Sequence, residues 1–459
     1  MFPRGDYYDA IKFHAHNYCR ARGHPFPDIT GRRYFLHCSV RKNQENSFFN
    51  HRPYPDIYNP RALPIRHPGG VYSKRYGRLR SASHHDALIK AGAFARKMTN
   101  LRYEFAKLRT DFYLGGIQER YRAGKPIPPP GYVIWDSTRR CNLNCLHCGA
   151  VKEKYTRELT TEQIKGFLDQ FSEMKVGMFA VTGGEPLMRK DLAEVIFHAH
   201  KRGLKTGIAT NGFLVDQGAA EWIKAARVYS VQVSLDGLET THNRIRGNEQ
   251  SFNRAVQAIE LLNSLKVPLV SVATTVTRDN LPEIGGLRQL LSRLGVRLWR
   301  LAVVMPIGRA HESNICPDMD QLTWLLEYVK QCDSRELHIY LGENLTFLGE
   351  WERQVRNRPA FCPIGFTACC IGVDGNVRGC PEQPDTVQNL EGSLLDTPFQ
   401  EIWQKGFGRY RNRKILETDP KCAICRSKDD CFGGCWVMRT EGQHCIYEMI
   451  RQAALPQSS

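Results

Sequence analysis

The chain has 459 residues, 42% of them apolar, enough to build real hydrophobic cores, and a length of this order corresponds to about three domains of ~150 residues. The formal charge is +17, but residues 1–85 hold 15 Lys and Arg against 5 Asp and Glu, so the remainder is only mildly basic and nucleic-acid binding is not expected. The 16 cysteines come with no apolar N-terminal segment and no apolar run approaching the ~18 residues of a membrane span. These features argue against a membrane protein and a secreted disulfide scaffold, and for metal-binding thiols in a reducing cytoplasm.

In chain order, residues 1–85 read as a basic arm rich in Pro, His and isolated aromatics, with 8 of the 15 histidines and poor periodicity, so little order is expected there. Residues 86–130 read as a lead-in, helical over 86–125 and closed by the proline cluster 126–130. Over 131–330, apolar runs at 132–135, 178–181, 205–209, 231–234, 269–274 and 299–304 alternate with helical patterns. A helix over 160–175 opens with a capping box of Thr160 and Gln163. Such alternation predicts an α/β fold with a parallel sheet and helical crossovers. Six units fit a partial (β/α)6 barrel of TIM type, with its site at the C-terminal ends of the strands. A bridging helical segment over 331–360, a cysteine-rich region over 361–450 and a tail over 451–459 complete the chain.

The chemistry concentrates after the first two strands. Arg140-Cys-Asn-Leu-Asn-Cys-Leu-His-Cys-Gly149 has the spacing C-x3-C-x2-C. A [4Fe–4S] cube normally takes four thiolates, so three on one loop leave an iron free to bind a small molecule. Read alone, the cysteines also suit a structural zinc knot with His147 as fourth ligand. After the second strand comes Thr182-Gly183-Gly184-Glu185-Pro186, whose glycines let the backbone approach a ligand closely. The two motifs together resemble the radical S-adenosylmethionine (radical SAM) enzymes.

The resemblance implies that Cys141, Cys145 and Cys148 hold a [4Fe–4S] cluster whose free iron chelates exchangeable SAM. Reductive cleavage of SAM then yields a 5′-deoxyadenosyl radical that abstracts hydrogen from the substrate. Gly183, Gly184, Glu185 and Pro186 would bind the SAM amino group, with Glu185 orienting the loop. Asn211, Ser234 and Asp236 would contact the ribose or carboxylate, and Arg246, with Arg244, would pair with the carboxylate. Residues 306–309 would face the adenine or the substrate. Turn-forming and capping roles for Asn211, Ser234 and Asp236, and a solvated basic turn for the arginines, stand as alternatives.

The C-terminal region carries a second pattern. Cys362, then Gly375-x4-Cys380, precede Cys422-x2-Cys425-x5-Cys431-x3-Cys435, and Cys445 follows. Val373-Asp374-Gly375-Asn376 reads as a hairpin turn between them. Zinc sites in a ribbon-like tail would use similar pairs. The ordered set resembles the SPASM extension of radical SAM enzymes, which implies two auxiliary [4Fe–4S] clusters. Cys362, Cys380, Cys435 and one of Cys369 and Cys370 (Cys370 in the assignment adopted) would ligate one; Cys422, Cys425, Cys431 and Cys445 would ligate the other. Cys19, Cys38, Cys316 and Cys332 read as ordinary thiols.

By this resemblance the expected activity is oxidative modification of a peptide or protein, with a flavodoxin or ferredoxin as reductant. A cofactor-biosynthesis enzyme acting on a tetrapyrrole or quinone-type molecule is the alternative; the C-x3-C ending of the tail favours the peptide branch. A non-catalytic iron–sulfur sensor or scaffold is the third reading.

Overall fold

The structure, a computed structural model, describes residues 81–149, 157–332, 337–440 and 445–453. Most of the arm expected over 1–85 and the end of the 451–459 tail lie outside these residues. Residues 81–85 belong to a single helix, α1 (Ser81–Arg122), which covers most of the helical lead-in and begins earlier than expected. Tyr103, Leu114 and Ile117 bury one face of α1. Lys107 pairs with Asp430 at 3.0 Å, and Gln118 Nε2 donates to the Arg411 carbonyl at 2.6 Å, so the lead-in is tied to the C-terminal region.

The six expected barrel strands all form. They are β1 (Tyr132–Asp136), β2 (Phe179–Thr182), β3 (Thr206–Thr210), β4 (Ser230–Ser234), β5 (Leu269–Val276) and β6 (Leu298–Val303). Between them run α2 (Thr161–Glu173), α3 (Leu192–Lys201), α4 (Gln217–Ala225), α5 (Glu239–Arg246), α6 (Ser251–Ser264) and α7 (Ile284–Arg293). The Thr160–Gln163 capping box opens α2 with both reciprocal hydrogen bonds made. β1 to β6 pair in parallel in sequence order.

Alternate residues of each strand serve different ends. Val133, Trp135, Phe179, Val181, Ile208, Val231, Val233, Val272, Trp299 and Leu301 pack into the core shared with the helices. The opposite face carries Ala180, Thr182, Gly207, Ala209, Ser234, Ala273, Thr275 and Ala302. TIM-type interiors are normally filled by bulky branched side chains. Here that face mixes small residues with larger ones such as Ile134, Gln232 and Arg300, and Ala180, Thr182, Ala209, Ser234, Ala273 and Thr275 on it stay only partly buried.

Two features depart from the expected plan. The segment over 331–360 is not wholly helical, because His338–Leu341 forms β7, parallel to β6. The Ile339-Tyr340 run suits an edge strand better than a helix turn. The cysteine-rich region is also not separate from the barrel. Its strand β8 (Ala368–Ile371) joins the sheet parallel to β1, with Tyr132 opposite Ala368 and Ile134 opposite Cys370. β9 (Asn376–Arg378) pairs antiparallel with β8 through the expected hairpin, where Gly375 has φ +91°, and β10 (Leu390–Ser393) closes that edge. The result is one ten-stranded sheet with β10 and β7 at its ends.

A buried ion pair locks the two parts together. Arg378 on β9, with its side chain fully buried, meets Asp136 at the end of β1 at 2.9 Å; Arg139 meets the same carboxylate at 3.0 Å, and Asp385 pairs with Arg378. Removing one partner of a buried pair strands the other. Arg378→Met is therefore expected to destabilise the protein by about 3 kcal/mol, the low end of the usual range because Arg139 remains. Urea unfolding measures this, and the Asp136→Asn/Arg378→Met double variant should recover part of the loss.

Candidate active site at the C-terminal ends of the strands

The cysteine loop leaves β1 through buried Ser137 and Thr138. It runs backbone to backbone against the segment after β2: Ser137 N donates to the Thr182 carbonyl at 2.8 Å, Gly184 N to Thr138 at 2.6 Å and Glu185 N to Arg140 at 2.8 Å. This contact explains both glycines. Gly183 has φ +142°, and a Cβ there would lie 2.6 Å from the Thr138 carbonyl; at Gly184 a Cβ would collide with the Arg140 carbonyl. The close approach read from the sequence as an approach to ligand is therefore made first to the cysteine loop itself.

Glu185 is fully buried and ties this segment to the turn after β3. Oε1 accepts from Thr210 Oγ1 at 2.7 Å and Oε2 from Asn211 N at 2.7 Å. Burial pushes its carboxyl above the ordinary value, although these donors oppose the shift. Pro186 opens a short 3₁₀ turn, Pro186–Met188. Asn211 reaches across to the cysteine loop, its Nδ2 donating to Asn142 Oδ1 at 2.9 Å. Ser234 ends β4, half-buried on the lumen face.

Asp236 lies behind the loop. It has three partners: Oδ1 accepts from Thr275 N at 2.8 Å, and Oδ2 meets both His147 Nε2 and Arg246 Nη2 at 2.7 Å. Burial alone would raise its pKa, but Arg246 and His147 outweigh it and hold the carboxyl well below the ordinary range. Arg246 Nη1 lies 3.6 Å from Cys145 Sγ. Asp236 and Arg246, both expected to contact SAM, are buried and engage each other and the cysteine loop. Arg244 is half-exposed and pairs with Asp279 at 3.0 Å, the solvated reading of that turn.

Sequence reasoning missed the loop's third support. Arg309 Nε donates to the Cys145 carbonyl at 2.8 Å and Arg309 N to the Cys148 carbonyl at 3.1 Å. The 306–309 segment, expected to face the adenine or the substrate, clamps the cysteine loop through Arg309. No local pattern marks it, since the contact spans 164 residues.

Three thiols, a glycine-lined close approach and partly buried small residues at the strand ends fit a three-cysteine cluster with SAM beside it. The profile of the Radical SAM superfamily matches residues 135–291. The chain is 32% identical over 325 residues to the AdoMet-dependent heme synthase of Oleidesulfovibrio alaskensis, covering 66% of this chain and 81% of that protein. It is 29% identical over 323 residues to the mycofactocin maturase of Mycolicibacterium smegmatis, covering 70% and 81%. The chain belongs to the radical SAM superfamily. Its fold is shared with SuiB of Streptococcus suis in a crystal structure with S-adenosylmethionine, at a TM-score of 0.58 and 15% identity over 70% of this chain and 76% of that one. Membership makes the protein an enzyme that uses SAM and a [4Fe–4S] cluster, with the SPASM cysteine pattern at its C-terminus.

In this radical SAM enzyme the C-terminal cysteines fall into two neighbourhoods. Cys362, Cys380 and Cys435 act electrostatically on one another, and burial pushes all three thiols up, Cys435 to about 12. Cys422, Cys425, Cys431 and Cys445 form the other group, with burial raising Cys431 to about 12. A small cavity lies between the groups, lined by Cys431, Cys435, Cys445, Thr346 and Arg439. Cys369 and Cys370 are fully buried in β8. Cys369, opposite Val133, sits in the helix-side core, and Cys370, opposite Ile134, sits on the lumen side beside Arg378. Among the described residues, no three His, Cys, Asp or Glu side chains converge as ligands of a single ion. No helix among them is long and apolar enough to cross a membrane.

Two outcomes follow from this geometry. Gly184→Ala should displace one backbone from the other; at the ~1–3 kcal/mol of a strained site, SAM affinity should fall about 5- to 150-fold, as read by equilibrium dialysis. His242 accepts from Asp236 N at 2.9 Å through Nδ1, and burial, then the Arg246 cation, push its pKa down to about 3. Its folded value lies below the unfolded one, so acid protonates the unfolded chain first and stability falls as pH drops below ~6.5. The loss approaches ~1.4 kcal/mol per pH unit, and His242→Gln should remove that share of the slope in urea unfolding between pH 7 and 5.

Proposed function

We propose that this enzyme cleaves SAM reductively at Cys141, Cys145 and Cys148 and oxidatively modifies a peptide or protein. The cluster and SAM bound there supply a 5′-deoxyadenosyl radical that takes a hydrogen atom from the substrate. The residues of the chain do the rest: Gly183 and Gly184 set the close approach, and Asn211 and Ser234 border the lumen at its mouth. Cys362, Cys370, Cys380 and Cys435 would hold one auxiliary cluster, and Cys422, Cys425, Cys431 and Cys445 a second.

The observation that carries an oxidative outcome is the meeting of the two cysteine regions. Glu382, two residues beyond Cys380, places Oε2 2.8 Å from the point where a Cβ on Gly149, next to Cys148, would sit. A redox centre on Cys362, Cys380 and Cys435 would belong to the segment that reaches the cysteine loop, and would supply an acceptor for the second electron from the substrate. A flavodoxin or ferredoxin would supply the electron that cleaves SAM. The Cys431-x3-Cys435 ending and the similarity to a maturase favour a peptide or protein substrate. The similarity to a heme synthase favours a second reading, cofactor biosynthesis on a small molecule such as a tetrapyrrole.

The anaerobically reconstituted, dithionite-reduced protein should form 5′-deoxyadenosine and bind about twelve irons, four per cubane. Cys141→Ala, Cys145→Ala and Cys148→Ala should each abolish 5′-deoxyadenosine and lower iron to about eight. Cleavage that persists in all three would place the reaction elsewhere. Faster cleavage with a precursor-type peptide, and not with iron coproporphyrin, decides for the first reading; the reverse decides for the second.

A further inference from the structure

Of the three loop cysteines, Cys145 alone is buried; Cys141 is exposed and Cys148 intermediate. Its sulfur meets a cation that the reading above does not use. Arg246, 7% exposed, points Nη1 at Cys145 Sγ from 3.6 Å, within reach of an N–H···S hydrogen bond. The guanidinium is held there from behind. Its Nη2 lies 2.7 Å from Asp236 Oδ2, and the same oxygen meets His147 Nε2 at 2.7 Å. Asp236 in turn is fixed by Thr275 N at 2.8 Å and, through its carbonyl, by Asn280 Nδ2 at 2.7 Å. The loop also docks on the last turn of α5, where Leu146 N donates to the Ile245 carbonyl at 2.8 Å. One carboxylate therefore sets the position of two side chains, His147 of the loop itself and Arg246 against Cys145 Sγ.

We propose that Arg246 raises the reduction potential of the SAM-binding cluster by hydrogen bonding to Cys145, and that Asp236 is the positioning residue that holds Arg246 and His147 in place. The inference rests on Cys141, Cys145 and Cys148 being the cluster ligands. Reduction adds negative charge to a cluster, and donors to its sulfurs stabilise that charge. In a buried site such a bond is stronger than in water. Asp236 largely cancels the net charge of Arg246, so the directed N–H bond carries the effect. Lysine would keep the charge but lose the fork that reaches sulfur and carboxylate together.

The test is a potentiometric EPR titration of the reduced, reconstituted full chain with and without SAM; the signal that changes on adding SAM reports this cluster. Arg246→Met should shift its midpoint to more negative potential, and Arg246→Lys should recover part of the shift. Asp236→Asn separates positioning from plain charge. If Asp236 acts through Arg246, the midpoint moves negative, whereas loss of a nearby negative charge alone moves it positive and overturns that half of the proposal. A SAM-responsive signal at the wild-type potential in Arg246→Met overturns the other half. Should Arg246→Met fail to hold iron, pulsed ENDOR of the wild type in H₂O and D₂O decides. An exchangeable proton coupled to the SAM-responsive signal and weakened in Arg246→Lys supports the bond, and absence of any such coupling refutes it. A protein with no SAM-responsive signal refutes the ligand assignment itself, and the proposal with it.

Discussion

A loop that must present three thiolates to one cluster cannot hold itself rigid, so its neighbours must do so. Its backbone lies directly on the Gly183-Gly184-Glu185 backbone, an approach that only residues without a Cβ permit. Arg309 grips its carbonyls from the β6 side, and the end of α5 takes its amides from below. Each support comes from a different βα unit of the barrel, so the loop's geometry depends on the curvature of the whole sheet. Precise metal sites need such supporting contacts, because small misplacements of ligands cost function.

The same barrel separates its two faces. Strand faces toward the helices carry Val, Ile, Leu, Phe and Trp, while lumen faces mix small residues with larger ones such as Ile134, Gln232 and Arg300. The apolar core supplies the stability. Two buried carboxylates near the site are matched by cations. Asp136 meets Arg139 and Arg378, and Asp236 meets Arg246 and His147. Asp136 and Arg378 end their strands, and Asp236 lies two residues past β4.

The sheet also explains how the second cysteine region reaches the radical site. β8 adds to β1 in parallel, in register, and β9 returns beside it, so Cys380 emerges within two residues of Arg378 and its partner Asp136. Continuity of one sheet, not a flexible linker, sets the relation between the two cysteine regions. Reading a domain boundary at residue 361 misses this, because the long connection from β7 to β8 looks like a linker in sequence.

Much of the protein was legible in the chain by itself. The β/α alternation, the six barrel strands, the Thr160 capping box, the Asp374-Gly375 hairpin and the cysteine spacings are local patterns, governed by backbone preference and side-chain periodicity over a few residues. The roles of Glu185, Asp236, Arg246 and Arg309 depended on tertiary structure. A charged residue in a turn reads alike whether it faces solvent, ligand or a buried partner. Arg244 and Arg246 lie two positions apart, yet one pairs with Asp279 at the surface and the other is buried against Cys145. Sequence determined which residue types stand near the site, since ligand spacing is a local property. Which of them touch ligand and which hold the loop was decided by folding, since burial and long-range pairing exist only once distant strands have come together.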